Sequence, residues 1–433
     1  MKFCRLFLDQ ERGFYYVLDY SHRGDRLVTR QEFVHVTYLA HGKPGTDWQK
    51  KAEGIAIGLT VGSWTDLPAA RKDAMQKHLG HVVKAEEIGM DAHGLSQALL
   101  TIAYPTLNFT PDVPALLTSV FGKLSMDGKI RLVDIELPIA FQSQFPGPKY
   151  GIDQIRKQLG IENRPLLMSI FKSVIGYDIE ALADAFYQQA LGGVDLVKDD
   201  EIFFDETYAP FEKRIEACRL AAERAKEQTG KSTLYAANLT GPVTEIFEKA
   251  RRAVDAGANA LLLNVLTYGY DVLQRLAADP KITVPIMAHP AMAGAMYPSE
   301  QYGIAAPVLL GKLMRVAGAD FSLYPSAYGS VAMERGETLK IAEALRAEQS
   351  GLNRTFPVPS AGIHPGLVPV LYGDLGNDQI INAGGGIHGH PGGSSAGGRA
   401  FVAAIDAVVA GKTLSEAAEQ SKELKTALEL WNK

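Results

Sequence analysis

The sequence predicts an α/β protein, a closed (β/α)8 barrel preceded by a smaller ferredoxin-like α+β domain. Three observations carry that prediction: a βαββαβ order of elements before residue 138, a Pro/Gly-rich break near residue 146, and beyond it a helix-strand unit that recurs until eight strands are reached. The chain has 433 residues, 46% of them hydrophobic, which supplies a large core and exceeds one ordinary domain.

Residues 1–33 read as an N-terminal extension whose role the sequence leaves open. They mix aromatics with Arg and Asp and lack the apolar run and small-residue cleavage site of a secretory signal. The ferredoxin-like domain is expected over residues 34–145: an extended Val34–Ala40, a helical stretch Lys50–Leu59, strands His81–Ala85 and Ala98–Ala103, a helix Asp112–Gly122 and a strand Ile130–Glu136. Phe145-Pro-Gly-Pro-Lys-Tyr-Gly151 resists regular structure and marks the boundary.

Residues 146–433 are expected to form the barrel. Leu191-Gly-Gly-Val-Asp-Leu-Val, Ala256-Gly-Ala-Asn-Ala-Leu-Leu-Leu and Ala317-Gly-Ala-Asp-Phe-Ser-Leu-Tyr each end a helix on Gly and begin an apolar strand. Between them lie amphipathic helices: Ile179, Leu182 and Phe186 share one face behind an Asp178 N-cap, and Pro210 suits the first turn of the next helix. The expected strands are Leu166–Phe171, Val194–Val197, Leu234–Asn238, Ala260–Asn264, Pro285–Ala288, Phe321–Tyr324, Phe356–Pro359 and Gln379–Asn382.

A formal charge of −5 gives no footprint for nucleic acid or an anionic membrane. No apolar run approaches the roughly 20 residues of a bilayer span. Cys4 and Cys218 are too few for a disulfide framework or a thiolate metal site, so a reducing, cytoplasmic location is expected.

Barrels place their chemistry just after the strands. The second strand runs into Lys198-Asp199-Asp200-Glu201, where two-residue alternation sends Lys198 and Asp200 to one side and Asp199 to the other. Two carboxylates suit Mg2+, but an ammonium beside them repels it; a lysine neutralised by burial can instead react with CO2 and offer a carbamate oxygen. A solvated charge run is the plainer alternative. Lys172, closing the first strand, is a salt-bridge partner or a Schiff-base nucleophile on the same footing. Ser360-Ala-Gly362 and Gly384-Gly385, after the last two strands, are the bare-backbone turns where barrels hold phosphate, or else flexible turns. His289 contacts substrate or caps its strand; His364, His388 and His390 show no ligand spacing.

Leu166-Leu-Met-Ser-Ile-Phe-Lys172, Gly192-Gly-Val-Asp-Leu-Val-Lys-Asp-Asp-Glu201, Pro210-Phe-Glu-Lys-Arg-Ile215, Met287-Ala-His-Pro-Ala291 and Gly384-Gly-Gly-Ile-His-Gly-His-Pro391 together resemble the ribulose-bisphosphate carboxylase superfamily, its carboxylase-like members best. The resemblance runs from about residue 34 to the C-terminus and implies the large-chain architecture. It implies that Lys198 is carbamylated and holds Mg2+ with Asp200 and Glu201. It also implies a homodimer in which one subunit's amino-terminal domain brings Ser63, Trp64 and Lys123 to the other's barrel mouth. Lys123 stands where true carboxylases have Asn and is the implied proton-taking base, with Lys172 a second catalytic lysine. The segment Tyr324–Ser330 has no lysine to support a carboxylated intermediate, Pro290 replaces an arginine for a second phosphate, and Gly58 replaces a glutamate. The implied activity is therefore a tautomerase of methionine salvage that enolises a mono-phosphorylated methylthio diketone without carboxylation. An isomerase for another phosphorylated ketose, a metal-free Schiff-base aldolase and a non-catalytic phosphate binder are the alternatives.

Overall fold

A computed structural model describes residues 4–9, 14–19, 28–62, 71, 74–348 and 351–431. Ser63 and Trp64 lie outside the described residues. The chain forms two units, residues 1–145 with 295–308, and residues 146–294 with 309–433.

In the first unit, β1 (Cys4–Asp9), β2 (Phe14–Asp19) and β3 (Val28–Gln31) make a three-stranded antiparallel sheet within the extension. The βαββαβ order follows as β4 (Phe33–Gly42), a helix Trp48–Gly58, β5 (His81–Met90), β6 (Ser96–Pro105), a helix Val113–Leu117 and β7 (Ile130–Glu136). The sheet order β7-β4-β6-β5 is that of a ferredoxin-like domain, and a two-residue strand β13 (Gly303–Ile304) adds to its β7 edge in parallel. Buried residues alternate along β4, where Tyr38 donates to the Val120 carbonyl at 2.6 Å. Asp112 caps the Val113–Leu117 helix by accepting from the Ala115 amide at 2.7 Å. That helix does not continue regularly to Gly122; it widens into a π-turn over Thr118–Gly122, a device common at functional sites, and Lys123 sits exposed at its end.

The second unit is an eight-stranded parallel sheet: β8 (Leu166–Ile170), β9 (Leu196–Lys198), β10 (Leu234–Asn238), β11 (Ala260–Asn264), β12 (Ile286–His289), β14 (Phe321–Pro325), β15 (Phe356–Ser360) and β16 (Ile380–Ala383). The ladder runs from β15 through β14, β12, β11, β10, β9 and β8 to β16. Its two ends meet where Asn382 of β16 donates to Ser360 Oγ of β15 at 2.9 Å, so the sheet closes as a barrel. Several strands sit one or two residues later than the sequence spans, because pairing Ile170 with Lys198 and Asn264 with His289 makes those two polar residues the last of β9 and β12.

Alternation divides each strand. Inward residues such as Met168, Leu196, Leu262, Phe321 and Val358 form one buried cluster, closed by Ile152 and Ile155 of the helix Gly151–Leu159. Burial of each large apolar side chain stabilises by about 1.5–3 kcal/mol. Gly318 ends its helix at φ +111°, where a Cβ would lie 2.2 Å from that of Ala277, so only glycine makes this turn. Among the described residues no helix is long and apolar enough to cross a membrane.

Candidate active site

One step beyond the apolar layer, inward positions turn polar: Lys198, Asn238, Asn264, His289 and Ser360 are the last residues of β9, β10, β11, β12 and β15, and Asn382 is one residue from the end of β16. Lys198 is 1% exposed; its Nζ donates to the Asp199 carbonyl at 2.9 Å and lies 3.5 Å from Glu201 Oε2. Burial pushes its amine below the usual lysine range against the pull of Glu201 and Asp200. His289 Nε2 stands 3.5 Å from the same Glu201 oxygen. Burial, with the Lys198 amine adding to it, holds this imidazole well below its ordinary pKa. Lys172 Nζ donates to Asp200 Oδ2 at 2.5 Å.

The asparagines were not singled out by the sequence reading, yet they hold the charged turn in place. Asn238 Nδ2 donates to the carbonyls of Glu201 and Phe203, each at 3.1 Å, and Asn264 Nδ2 to that of Glu201 at 3.1 Å and to Thr240 Oγ1 at 2.8 Å. The signal available in sequence was a polar residue in phase with Lys198 at the end of each apolar run.

Asp199 faces away from the barrel interior, as alternation predicts. Its carboxylate accepts from Arg214 Nη2 at 3.0 Å, Tyr235 Oη at 2.7 Å and the Asn238 amide at 2.8 Å. Arg214 and Asp199 are both fully buried, and the guanidinium is flanked by Phe203 at 4.2 Å and Phe211 at 5.5 Å. The charge that does not reach the site thus fixes the direction of the residues on either side of it. Arg214→Met leaves Asp199 buried and unpaired, and is expected to destabilise the fold by about 3–5 kcal/mol in urea unfolding; a loss under about 1 kcal/mol refutes the anchoring role.

On the opposite side of the mouth, Ser360 Oγ accepts from Asn382, and the turn after it places Ala361 and Gly362 at φ +73° and +72°. A Cβ on Gly384 would lie 3.1 Å from Lys172 Cε, so the glycine turn after β16 lies against Lys172. Gly385 opens the short helix that follows. The remaining histidines have structural partners: His388 Nε2 meets the Ile170 carbonyl at 2.8 Å, His390 Nε2 that of Glu423 at 3.0 Å, and His364 stacks on Trp431. In the first unit, Lys123 lines a cavity of about 590 Å3 together with Lys50, Lys51, Gly58 and Asp127.

Asp200 and Glu201 offer hard oxygen donors, but among the described residues no three His, Cys, Asp or Glu side chains are grouped to hold a metal. The buried amine of Lys198 lies beside this pair, 3.5 Å from Glu201 Oε2.

The models for the ribulose bisphosphate carboxylase large chain match the sequence twice, the N-terminal domain over residues 21–141 and the catalytic domain over 151–431. The 2,3-diketo-5-methylthiopentyl-1-phosphate enolases of Geobacillus kaustophilus and Bacillus licheniformis are each 57% identical, covering 92% of this chain and 98% and 97% of their own. A crystal structure of a rubisco-like protein (MtnW) from Alicyclobacillus acidocaldarius superposes with a TM-score of 0.88 at 52% identity, covering 92% of this chain and all of the other. The dimeric archaeal Rubisco from Hyperthermus butylicus superposes with a TM-score of 0.82 at 30% identity, covering 92% and 96%. The chain belongs to the ribulose bisphosphate carboxylase large-chain family, among its RuBisCO-like enolases.

Proposed function

We propose that this chain is a Mg2+-dependent keto-enol tautomerase of methionine salvage. It converts 2,3-diketo-5-methylthiopentyl-1-phosphate to 2-hydroxy-3-keto-5-methylthiopentenyl-1-phosphate and adds no carbon. The observation that carries the reading is the shared name of relatives 57% identical over 92% of the chain. The buried Lys198 beside Glu201, with Asp200 next to it, supports it independently.

Lys198 as a carbamate, with Asp200 and Glu201, would hold Mg2+, whose charge stabilises the enolate oxygen. Lys123 of the partner subunit takes the proton from C1, the carbon bearing the phosphate ester. Lys172 places an ammonium between Asp200 and the glycine turn, where it balances charge on the reacting carbonyls. Ser360, Gly362, Gly384 and Gly385, with Ser63 and Trp64 of the partner subunit, bind the single phosphate. His289 hydrogen-bonds a substrate oxygen. The protein acts as a cytoplasmic homodimer with shared sites, a reading the dimeric relative supports.

Enolisation followed by ultraviolet absorbance, together with exchange of the C1 proton, tests this directly. EDTA is expected to lower both at least about 100-fold, with Mg2+ and bicarbonate restoring them. A buried amine of lowered pKa also suits a Schiff-base nucleophile. EDTA-insensitive turnover with a borohydride-trapped adduct on Lys198 or Lys172 overturns the tautomerase reading in favour of an aldolase.

A further inference from the structure

The segment between β14 and the helix Arg335–Arg346 lies over the turn that carries Ser360 and Gly362, and it is fastened there at several points. The Ser326 amide donates to the Ser360 carbonyl at 2.9 Å, extending the β14–β15 ladder past its last pair, and the Ser330 amide donates to the Ala361 carbonyl at 3.2 Å. Between them the two backbones touch. A Cβ on Gly329 would lie 1.7 Å from the Ala361 oxygen, and one on Gly362 would lie 2.4 Å from the Ser330 nitrogen. Two glycines are therefore required for contact alone, and the left-handed Ala361 and Gly362 are shaped by what rests on them.

A side-chain latch closes the far end of the segment. Tyr328 Oη donates to Asp374 Oδ2 at 2.7 Å and accepts from Arg335 Nε at 3.0 Å, while Arg335 Nη2 pairs with Asp374 Oδ1 at 2.5 Å. Asp374 lies on the helix Val368–Leu375, which follows the Ser360 turn, so the latch joins the elements on both sides of that turn. The Tyr328 amide also bonds to Ser326 Oγ at 3.2 Å, holding the ring's own backbone to the fastened strand end.

We propose that Tyr328 is a positioning residue for the phosphate grip: held by Asp374 and Arg335, it fixes the Ser326–Glu334 segment as a static brace behind Ser360-Ala361-Gly362. The inference rests on the reading of that turn as a phosphate site and deepens it. A turn preshaped in this way binds without first being ordered, which favours affinity and leaves the chemical step untouched. Residues between Tyr328 and the turn act through backbone contact, so the effect of losing the hydroxyl is a looser grip.

Tyr328→Phe keeps the ring and removes both hydrogen bonds. It is expected to raise KM for the phosphorylated diketone, and the Kd for inorganic phosphate measured by calorimetry, about five- to tenfold. Its kcat should stay within about twofold, because no group that reacts is altered. The melting temperature should fall by no more than a few degrees, as for one partly exposed hydrogen-bonding group. Ser360→Ala serves as the direct probe of the phosphate reading. If Ser360→Ala weakens phosphate binding and Tyr328→Phe does not, the positioning role is wrong. If neither variant weakens it, the phosphate reading of the turn falls, and this inference with it. A drop in kcat equal to the rise in KM also overturns the proposal, since a brace for binding alone leaves the rate at saturation intact.

Discussion

Lys198→Met is expected to lower kcat/KM at least about 1,000-fold, and no amount of bicarbonate or Mg2+ should restore it. Methionine preserves the length and apolar body of the side chain at a position 1% exposed, where the native amine is costly to bury. The variant is therefore expected to fold at least as stably as the parent while lacking the nitrogen proposed to react with CO2. Its test has two readouts that do not depend on turnover. With 13C-bicarbonate and Mg2+, the wild-type protein should show a carbamate carbon resonance that the variant lacks, and calorimetric titration should show Mg2+ binding lost. Unchanged Mg2+ affinity in the variant would remove Lys198 from the proposed ligand set, leaving Asp200 and Glu201 without their third partner.

The parts of this molecule that were legible in sequence are those with a local period. Strand-end lysines, alternation through Lys198-Asp199-Asp200, and glycines closing helices are all written within a few residues of one another. Asp199 turned away because the backbone pleat required it, and Arg214 was there to receive it. What escaped was set by distant pairing. Asn238 and Asn264 carry no charge signal, and their importance depends on β10 and β11 being the next two strands after β9 in the barrel. The two-residue strand Gly303–Ile304 has no pattern of its own and exists because β7 offers an open edge. The strand beginning at His81 extends to Met90 and not to Ala85, because an edge strand exposes Lys84, Glu86 and Glu87 and so loses the alternation that marks a half-buried one. The latch of Tyr328, Arg335 and Asp374 joins residues 46 and 39 positions apart, which no local motif encodes.

Lys123→Ala is expected to stop exchange of the substrate's C1 proton and to lower kcat by about 10²–10⁴-fold, the usual contribution of a positioned base. Lys123 stands exposed at the end of a π-turn, on the wall of a cavity that Lys50, Lys51 and Asp127 also line. Its removal should leave Mg2+ binding unchanged, because the proposed ligands all belong to the barrel. The same variant decides whether the base is supplied in trans. In an isologous dimer with shared sites, Lys123→Ala and Lys198→Met are each inactive alone, for different reasons. When the two are unfolded together and refolded as a mixture, each mixed dimer has one site carrying both lesions and one carrying neither. Random association then restores about one quarter of wild-type activity. If Lys123 served its own subunit's barrel, every site in the mixture would carry one lesion and no activity would return. Recovery near one quarter is thus a number that only exchange between subunits produces, and its absence would reassign Lys123 to the chain that carries it.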